Sequence, residues 1–182
     1  SSYFGFVYDE DYILSRLTEA VADSKNQRLR VRLLLDEDGK ITVTTTPLHA
    51  DAAPKPMRYV ISDTRLSAAD LFLYHKTTRR ELYDREWKQF SDTLGADEVI
   101  FLNTRGELAE GSRTSIFLER DGKLLTPALT SGLLPGTLRA SLLEEGRAVE
   151  AILRPEDLDR AEAVFLGNSV RGLVPALPLV PQ

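Results

Sequence analysis

Hydrophobic and polar residues alternate along residues 28–35, with leucine and valine on one face and arginine on the other. A period of two predicts a half-buried strand. Residues 36–40, Asp-Glu-Asp-Gly-Lys, favour a turn, and the β-branched segment 41–46 predicts a returning strand, so we expect a hairpin. Before it, residues 9–24 carry apolar side chains at helical spacing after the acidic cluster 9–11, which predicts a helix.

The rest of the chain mixes short strands with helices. In order, the pattern predicts a strand at 58–61, a connector at 62–71, a helix at 77–94, a strand at 98–102, a turn at 103–106, a hairpin of 115–118 and 123–125, a helix at 136–145 and a strand at 163–166 with a turn at 167–169. This order predicts an α+β protein of two unequal units. We place the smaller unit at residues 1–65 and the larger at 66–182.

Composition and charge exclude several classes of function. The 182 residues carry a net charge of −5 and no run of basic residues interleaved with aromatic ones, which argues against a nucleic-acid surface. There is no cysteine, so disulfides and thiolate metal sites are excluded. His49 and His75 lack metal-ligand spacing, so we expect neither a metal site nor a Ser-His triad. No apolar segment reaches membrane-spanning length and no signal peptide opens the chain, so we expect a cytoplasmic protein without membrane contact.

Lys76 stands between the apolar run 72–74 and the arginine pair Arg79-Arg80 at a predicted helix start. A lysine in this position can lie at the floor of a cleft instead of on a solvated face. A lysine that loses its hydration there loses its charge readily and becomes a nucleophile suited to Schiff-base chemistry. An ordinary solvated lysine before a helix stays open as the alternative on this context alone.

Two glycine-containing segments are candidates for phosphate binding. In residues 134–139, Pro135 sets the entry to a helix and Gly136 allows close backbone approach, so the first free amides of that helix point outward. Residues 167–172 follow a predicted buried strand and offer a hydroxyl, an amide and two glycines. The alternatives are an ordinary helix start and an ordinary turn.

Glu110 lies at the end of a strand and is followed by glycine, so its carboxylate can point into a cleft. A carboxylate facing a pyridine nitrogen keeps that nitrogen protonated and makes the ring an electron sink. A surface acid is the alternative for Glu110, and its neighbour Glu107 is interpreted as solvated.

Taken in chain order, these segments form a set of motifs: Lys-Thr-Thr-Arg-Arg-x-x-Tyr-Asp from Lys76, Leu-Asn-x-x-Gly-x-x-x-Glu-Gly-Ser from Leu102, Ile-Phe from Ile116, Thr-Pro-x-x-x-x-Gly-x-Leu-Pro-Gly-x-x-Arg from Thr126 and Asn-Ser-x-Arg-Gly from Asn168. The set resembles the class IV (fold type IV) pyridoxal-phosphate enzymes, which include branched-chain aminotransferases, D-amino acid aminotransferases and 4-amino-4-deoxychorismate lyases. The resemblance covers essentially the whole chain and is strongest over residues 72–175. It is nearest to the lyase branch, especially the lyase module fused behind aminodeoxychorismate synthase component I.

The resemblance implies a D-amino acid aminotransferase-like fold, pyridoxal 5'-phosphate as cofactor and a homodimer. Lys76 matches the lysine that forms the Schiff base and moves the proton during turnover, and Glu110 matches the carboxylate paired with the pyridine nitrogen. The positions that match the phosphate site are Gly136, Thr137 and Leu138 at the helix start, Ser169 with its hydroxyl, and Asn168 beside it. The positions that match the substrate side are Thr130, Ser131 and Arg171.

The sequence departs from the family pattern in three places. Ser115 stands where many members have asparagine, so that contact is expected to be altered. Tyr83 does not fall at the spacing of the branched-chain tyrosine that bonds the cofactor's phenolic oxygen, so we assign it no such role. The family's first strands, with an arginine that contacts the phosphate, have no counterpart before Ser1, so we expect a small domain truncated at its start.

Three functions follow from the resemblance. The first is a lyase that releases pyruvate and p-aminobenzoate from aminodeoxychorismate for folate biosynthesis, free or associated with synthase component I. The second is a class IV aminotransferase acting on D- or branched-chain amino acids with 2-oxoglutarate. The third is a cofactor-free scaffold that retains the fold, against which the presence of Lys76 and Glu110 argues.

Overall fold

The computed structural model describes residues 3–24, 27–48 and 55–179. The chain divides into two compact units, Ser1–Ala53 and Pro54–Gln182, so the division precedes the position predicted at residue 65. The reason is strand β3 (Met57–Leu66), which pairs on both sides with strands of the larger unit. No helix among the described residues is both long and apolar enough to cross a membrane.

The described part of the smaller unit contains helix α1 (Glu10–Val21) and the antiparallel strands β1 (Leu29–Leu35) and β2 (Ile41–Pro47). The carboxylate of Asp9 accepts a hydrogen bond of 2.9 Å from the backbone amide of Tyr12 and so caps the helix. Both the predicted helix and the predicted hairpin are confirmed.

The larger unit continues from β3 with three α-helices and seven further strands among its described residues. In chain order these are helix α2 (Glu81–Leu94), strands β4 (Glu98–Asn103), β5 (Leu108–Gly111), β6 (Ser115–Arg120) and β7 (Lys123–Pro127), helix α3 (Thr137–Glu144), strand β8 (Ala148–Ala151), helix α4 (Pro155–Arg160), and strands β9 (Ala163–Asn168) and β10 (Gly172–Pro178). Two short 3-10 turns, Leu71–Tyr74 and Leu129–Ser131, lie in the connections.

These eight strands form one mixed sheet in the order β5-β4-β3-β10-β9-β6-β7-β8. Strand β3 runs parallel to β4 and β10, and β7 runs parallel to β8, whereas the other neighbours are antiparallel. Strand β10 therefore joins a half-sheet of β5, β4 and β3 to a half-sheet of β9, β6, β7 and β8.

Helices cover this sheet through apolar side chains that drive the packing. Helix α2 places Leu82, Trp87 and Phe90 against a buried cluster that includes Val99 and Phe101. Helix α4 contributes Leu158 to the largest cluster, and helix α3 contributes Leu142 to a third cluster around Phe117. The mixture of helices with a sheet of both parallel and antiparallel strands confirms the predicted α+β class.

The structure corrects two predicted boundaries around α2. The predicted connector at 62–71 is wrong in its first part, because β3 continues to Leu66. Its polar residues Ser62 and Thr64 donate hydrogen bonds of 2.7 and 3.2 Å to the carboxylate of Glu86 on α2. The helix begins at Glu81 and not at Thr77, since the Thr77 hydroxyl accepts a hydrogen bond from the amide of Arg79, a local turn that competes with helix formation.

Candidate active site

Glu110 lies near the end of β5 and is only 9% exposed. One carboxylate oxygen, Oε1, accepts a hydrogen bond of 2.5 Å from the hydroxyl of Tyr83. The other, Oε2, accepts a hydrogen bond of 3.0 Å from the backbone amide of Leu134. Burial raises the pKa of Glu110, and the two hydrogen bonds and the positive charges of Arg80 and Lys76 oppose that rise. The carboxyl group is therefore buried and held at both oxygens.

Tyr83 is the partner that sequence reasoning left without a role. It lies in the first turn of α2, where its ring meets Phe101 edge-on with 5.1 Å between centroids. Burial and the nearby charge of Glu110 raise the pKa of the Tyr83 phenol, so it stays a donor. One signal was present in the sequence, since Tyr83, Trp87 and Phe90 share one face of the helix at spacings of four and three.

Lys76 lies in the irregular segment between Tyr74 and α2, and its side chain is exposed. The larger unit therefore leaves this lysine exposed, as in the alternative of a solvated lysine, and α2 starts five residues after it. The lysine is nevertheless near Glu110, since its charge acts to lower the pKa of that carboxyl. Lys76, the predicted nucleophile, and Glu110, the predicted acid, are therefore close enough to interact electrostatically.

Arg80 connects the start of α2 to the loop that follows Glu110. Its guanidinium donates to the backbone carbonyl of Ser112 and lies 5.2 Å from the ring centroid of Tyr83. A cation over the ring face is attracted to the π electrons. Arg80 therefore holds Tyr83 and the residue two positions after Glu110 in a single arrangement, and it supplies a positive charge beside the buried acid.

A second buried carboxylate, Glu98, orders the same loop and was missed at the level of sequence. It is 1% exposed and accepts hydrogen bonds from four groups. The donors are the amides of Val99 at 2.9 Å and Arg113 at 3.2 Å, the hydroxyl of Thr114 at 2.9 Å and the hydroxyl of Ser112. A buried charge held by several donors fixes a loop without a cation.

The candidate phosphate site is the N-terminus of α3. Gly136 precedes the helix in an extended conformation, and no side chain caps the helix, so the first amides keep their capacity to bind an anion. A Cβ placed on Gly136 would lie 3.3 Å from the hydroxyl oxygen of Ser115. Ser115 thus stands next to Gly136, ahead of Thr137 and Leu138.

The end of strand β9 packs closely against the start of helix α3. A Cβ placed on Gly167 would lie 2.8 Å from Cδ2 of Leu138 and 2.6 Å from the carbonyl oxygen of Gly172. Only glycine permits this approach. Ser169 follows two residues later, in the turn after β9, with an exposed side chain. The predicted residues at positions 136–138 and 169 therefore belong to neighbouring segments.

Asn168 and Arg171 are placed differently from the other predicted residues. The side-chain oxygen of Asn168 accepts from the amides of Val170 and Arg171, and its amide group donates to the carbonyl of Arg113. Asn168 thus orders the turn that carries Ser169. Arg171 is exposed and lines a cavity of about 380 Å³ with Lys55, Arg58 and Asp97, which contains none of the residues predicted to bind the cofactor.

Thr130 and Ser131 lie in the 3-10 turn after β7. Thr130 is exposed, and its carbonyl accepts a hydrogen bond of 2.8 Å from Arg105. Ser131 is fully buried, and its hydroxyl donates to Glu107 at 3.0 Å. The interpretation of Glu107 as solvated is wrong, because this carboxylate is 6% exposed. The hydrogen bond from Arg105, followed by those from Asn103 and Ser131, lowers the pKa of Glu107 to about 2.

The site combines a buried carboxyl group whose pKa is affected by a lysine with an uncapped helix start next to a serine hydroxyl. This combination suits a pyridoxal-phosphate-dependent enzyme. Residues 1–177 match the model of the amino-transferase class IV family, and the chain belongs to that family. The family's members are enzymes that depend on pyridoxal phosphate.

Individual relatives carry different activities in their names. A protein of Schizosaccharomyces pombe named "Putative aminodeoxychorismate lyase" is 33% identical over 172 residues, which are 89% of this chain and 71% of that protein. A Thermotoga maritima protein named "Probable branched-chain-amino-acid aminotransferase" is 28% identical over 171 residues, which are 88% of this chain and 60% of that protein. The chain therefore spans less than the full length of both relatives.

A crystal structure from Mesorhizobium loti, of a "Putative amino-acid aminotransferase", superimposes with a TM-score of 0.90 and 42% identity, covering 97% of this chain and 85% of that one. This agreement confirms the class IV aminotransferase fold. The names divide between lyase and aminotransferase, so the family and the fold are common to both activities.

Proposed function

We propose that this chain binds pyridoxal 5'-phosphate and acts as a 4-amino-4-deoxychorismate lyase. The observation that supports the cofactor is Glu110, a buried carboxylate whose two oxygens are held by Tyr83 and by the amide of Leu134. Burial raises the pKa of Glu110, which matches a carboxyl that shares a proton with a pyridine nitrogen. The observation that supports the lyase activity is the relative from S. pombe, which matches 89% of the chain.

The residues present fit the cofactor at three points. Glu110 would face the pyridine nitrogen, the amides of Thr137 and Leu138 with the hydroxyl of Ser169 would hold the phosphate, and Lys76 would provide the amine. The uncapped N-terminus of α3 is the observation that favours an anion at the second point. When bound, the cofactor supplies an electron sink for the pair left by a broken bond next to the substrate amine.

In this proposal the chain's own residues position groups and move one proton. Lys76 removes the proton from the ring carbon that bears the amino group, and the carbon–oxygen bond on the neighbouring ring carbon breaks. The three-carbon unit leaves as enolpyruvate, which takes up one proton at its methylene carbon and becomes pyruvate. The amino group stays on the ring, which becomes aromatic as p-aminobenzoate. Because aromatisation supplies much of the driving force, the protein mainly has to orient the substrate and keep Lys76 available as a base.

A class IV aminotransferase is the second candidate, and the M. loti structure at 42% identity favours it. Both reactions need the same lysine and the same carboxylate. They differ in the fate of the amino group, which stays on the product in the lyase reaction and passes to a 2-oxo acid in transamination. A product assay therefore separates the two activities.

The first experiment is reduction of the protein with borohydride in the presence of pyridoxal phosphate, followed by peptide mapping by mass spectrometry. We expect a pyridoxyl group on Lys76 in the wild type, none at that position in Lys76→Ala, and an unchanged adduct on Lys76 in Lys88→Ala. Lys88 is an exposed lysine on α2 that pairs with Asp92. Absence of an adduct on Lys76 in the wild type would remove the cofactor assignment.

The second experiment measures products from the loaded wild-type protein. Pyruvate released from aminodeoxychorismate, with no amino transfer to 2-oxoglutarate, would support the lyase. Transfer of an amino group from D- or branched-chain amino acids to 2-oxoglutarate, without pyruvate release, would support the aminotransferase. We include in the proposal a cytoplasmic homodimer that serves folate biosynthesis and associates with a synthase component I, which sedimentation and co-purification would test.

A further inference from the structure

Glu107 is a buried carboxylate that the proposed chemistry does not use. It accepts hydrogen bonds from Arg105, with Nε at 3.0 Å and Nη2 at 2.7 Å, from Asn103 Nδ2 at 2.7 Å and from the Ser131 hydroxyl at 3.0 Å. These four residues, Asn103, Arg105, Glu107 and Ser131, are called the Glu107 cluster. Two charged groups and several hydrogen bonds make the cluster a strong local contact.

The Glu107 cluster holds the 3-10 turn that contains Thr130 and Ser131. Inside that turn, the amide of Ser131 donates to Ala128 and the amide of Gly132 donates to Leu129. The contacts that attach the turn to β4 and β5 come from the cluster, because Asn103 Nδ2 donates to the Ser131 carbonyl at 2.9 Å and Arg105 donates to the Thr130 carbonyl at 2.8 Å.

The opposite side of the turn faces the segment that leads to Lys76. Gly132 has a φ of +82°, and a Cβ placed on it would lie 2.6 Å from Cα of Ala68. The hydroxyl of Tyr74 donates to the carbonyl of Ala68 at 2.9 Å, so Ala68 is tied to the residue two positions before Lys76. The turn thus lies between the Glu107 cluster and the backbone that carries the lysine.

We propose that Glu107 is a positioning residue for the substrate. It fixes the turn at Thr130 and Ser131 against the segment that leads to Lys76, the reacting amine of the proposed function. Because the turn borders that segment, Glu107 sets how tightly the substrate is held beside the lysine without itself contacting the cofactor residues. The inference rests on the proposed function. The carboxylate is needed because it accepts from three side chains at once, whereas a glutamine would point an N–H group at a donor. The Ser131 hydroxyl then anchors the turn and does not contact the substrate.

The test compares Glu107→Gln with the control Glu144→Gln, an exposed position on α3. In Glu107→Gln we expect KM for the substrate to rise about tenfold, from the loss of charge-assisted hydrogen bonds, with kcat and the affinity for pyridoxal phosphate close to wild type. Hydrogen exchange at the amides of Ser131 and Gly132 is expected to quicken about tenfold. Ser131→Ala removes one contact only and should shift KM in the same direction by a smaller factor.

Three results would overturn the proposal. One is an unchanged KM in both variants, whatever the exchange rates. Another is a parallel loss of cofactor affinity, which would indicate general destabilisation. The third is exchange at Ser131 and Gly132 that matches the control. Hydrogen exchange and cofactor titration need no turnover, so inactive wild-type protein would refute the proposed function while these two measurements still decide whether Glu107 holds the turn.

Discussion

The hydroxyl of Tyr83 donates to Oε1 of Glu110 at 2.5 Å and joins the first turn of α2 to the end of β5. The two residues are 27 positions apart in the chain. The amide of Leu134 occupies the other oxygen, so the carboxylate has a single orientation. In the proposed function, this pair decides where the pyridine nitrogen of the cofactor would sit.

Replacement of Tyr83 by phenylalanine should weaken cofactor binding. The variant keeps the ring contact with Phe101 but leaves one oxygen of a buried carboxylate without its donor, at a cost of about 1–3 kcal/mol. We expect the dissociation constant of pyridoxal phosphate to rise roughly tenfold, as followed by absorbance titration. Tyr12→Phe, at an exposed site on α1, is the control. Equal affinity in the two variants would contradict a positioning role for Tyr83.

The contribution of the Glu107 cluster to the free energy of unfolding should decrease in acid. The folded-state pKa of Glu107 is about 2, below its ordinary value of 4.5, so its contribution is present above pH 4.5 and is lost as the pH falls towards 2. The unfolding free energy of the wild type should therefore exceed that of Glu107→Gln by about 1–2 kcal/mol near neutral pH, and the gap should close in acid. Urea titrations across this range measure the gap, and a pH-independent gap would be inconsistent with a lowered pKa.

Loss of the charge on Glu98 should destabilise the larger unit. Glu98→Gln replaces an acceptor of four hydrogen bonds with a group that also donates, and we expect a loss of about 2–3 kcal/mol in urea unfolding. Glu81→Gln, at the exposed start of α2, should change stability little. If the two variants unfold at the same urea concentration, the Glu98 hydrogen bonds contribute nothing net.

An added methyl group at Gly167 should separate β9 from α3. The new Cβ would meet a backbone carbonyl at 2.6 Å and Leu138 at 2.8 Å, so Gly167→Ala should lose about 1–3 kcal/mol and bind pyridoxal phosphate more weakly. In Gly136→Ala the nearest group is a serine hydroxyl at 3.3 Å, which can rotate away, so a smaller loss of stability is expected. Thermal unfolding compares the two, and an equal loss would argue against backbone crowding at Gly167.

Much of the fold could be predicted because its short elements are encoded locally. The alternation in β1 and the turn at residues 36–40 depend only on neighbouring residues, and both hairpins were found. Strand β10 was missed because Pro175 and Pro178 argue against a strand in a sequence without context. It forms because β3 and β9 present edges on either side of it. The second half of β3, residues 62–66, was missed for a similar reason. Its polar residues Ser62 and Thr64 donate to Glu86 on α2, which is distant in the sequence.

The candidate site likewise contains residues that local motifs predict and residues that they do not. Lys76, Glu110 and the start of α3 lie in motifs with fixed spacing, so sequence alone identified them as candidates. The hydrogen-bond donors to Glu107 and Glu110 include residues 24 to 27 positions away, and no local pattern shows which carboxylate a distant tyrosine or serine will meet. Glu107 was predicted to be solvated. In the structure, hydrogen bonds from Arg105, Asn103 and Ser131 take the place of hydrogen bonds to water.

The position of β10 in the sheet has a consequence for biosynthesis. This strand is translated after every other strand of the sheet, yet it lies between β3 and β9. On the ribosome, the β5-β4-β3 half that carries Glu110 and the β9-β6-β7-β8 half that packs on α3 must wait for residues 172–178 before they can pair across that gap. Glu110 and the segment before α3 are already joined through the amide of Leu134, so these parts of the candidate site can meet before β10 forms. The facing edges of β3 and β9, in contrast, stay unpaired until residues 172–178 are made, and these edges are exposed to wrong pairing during synthesis.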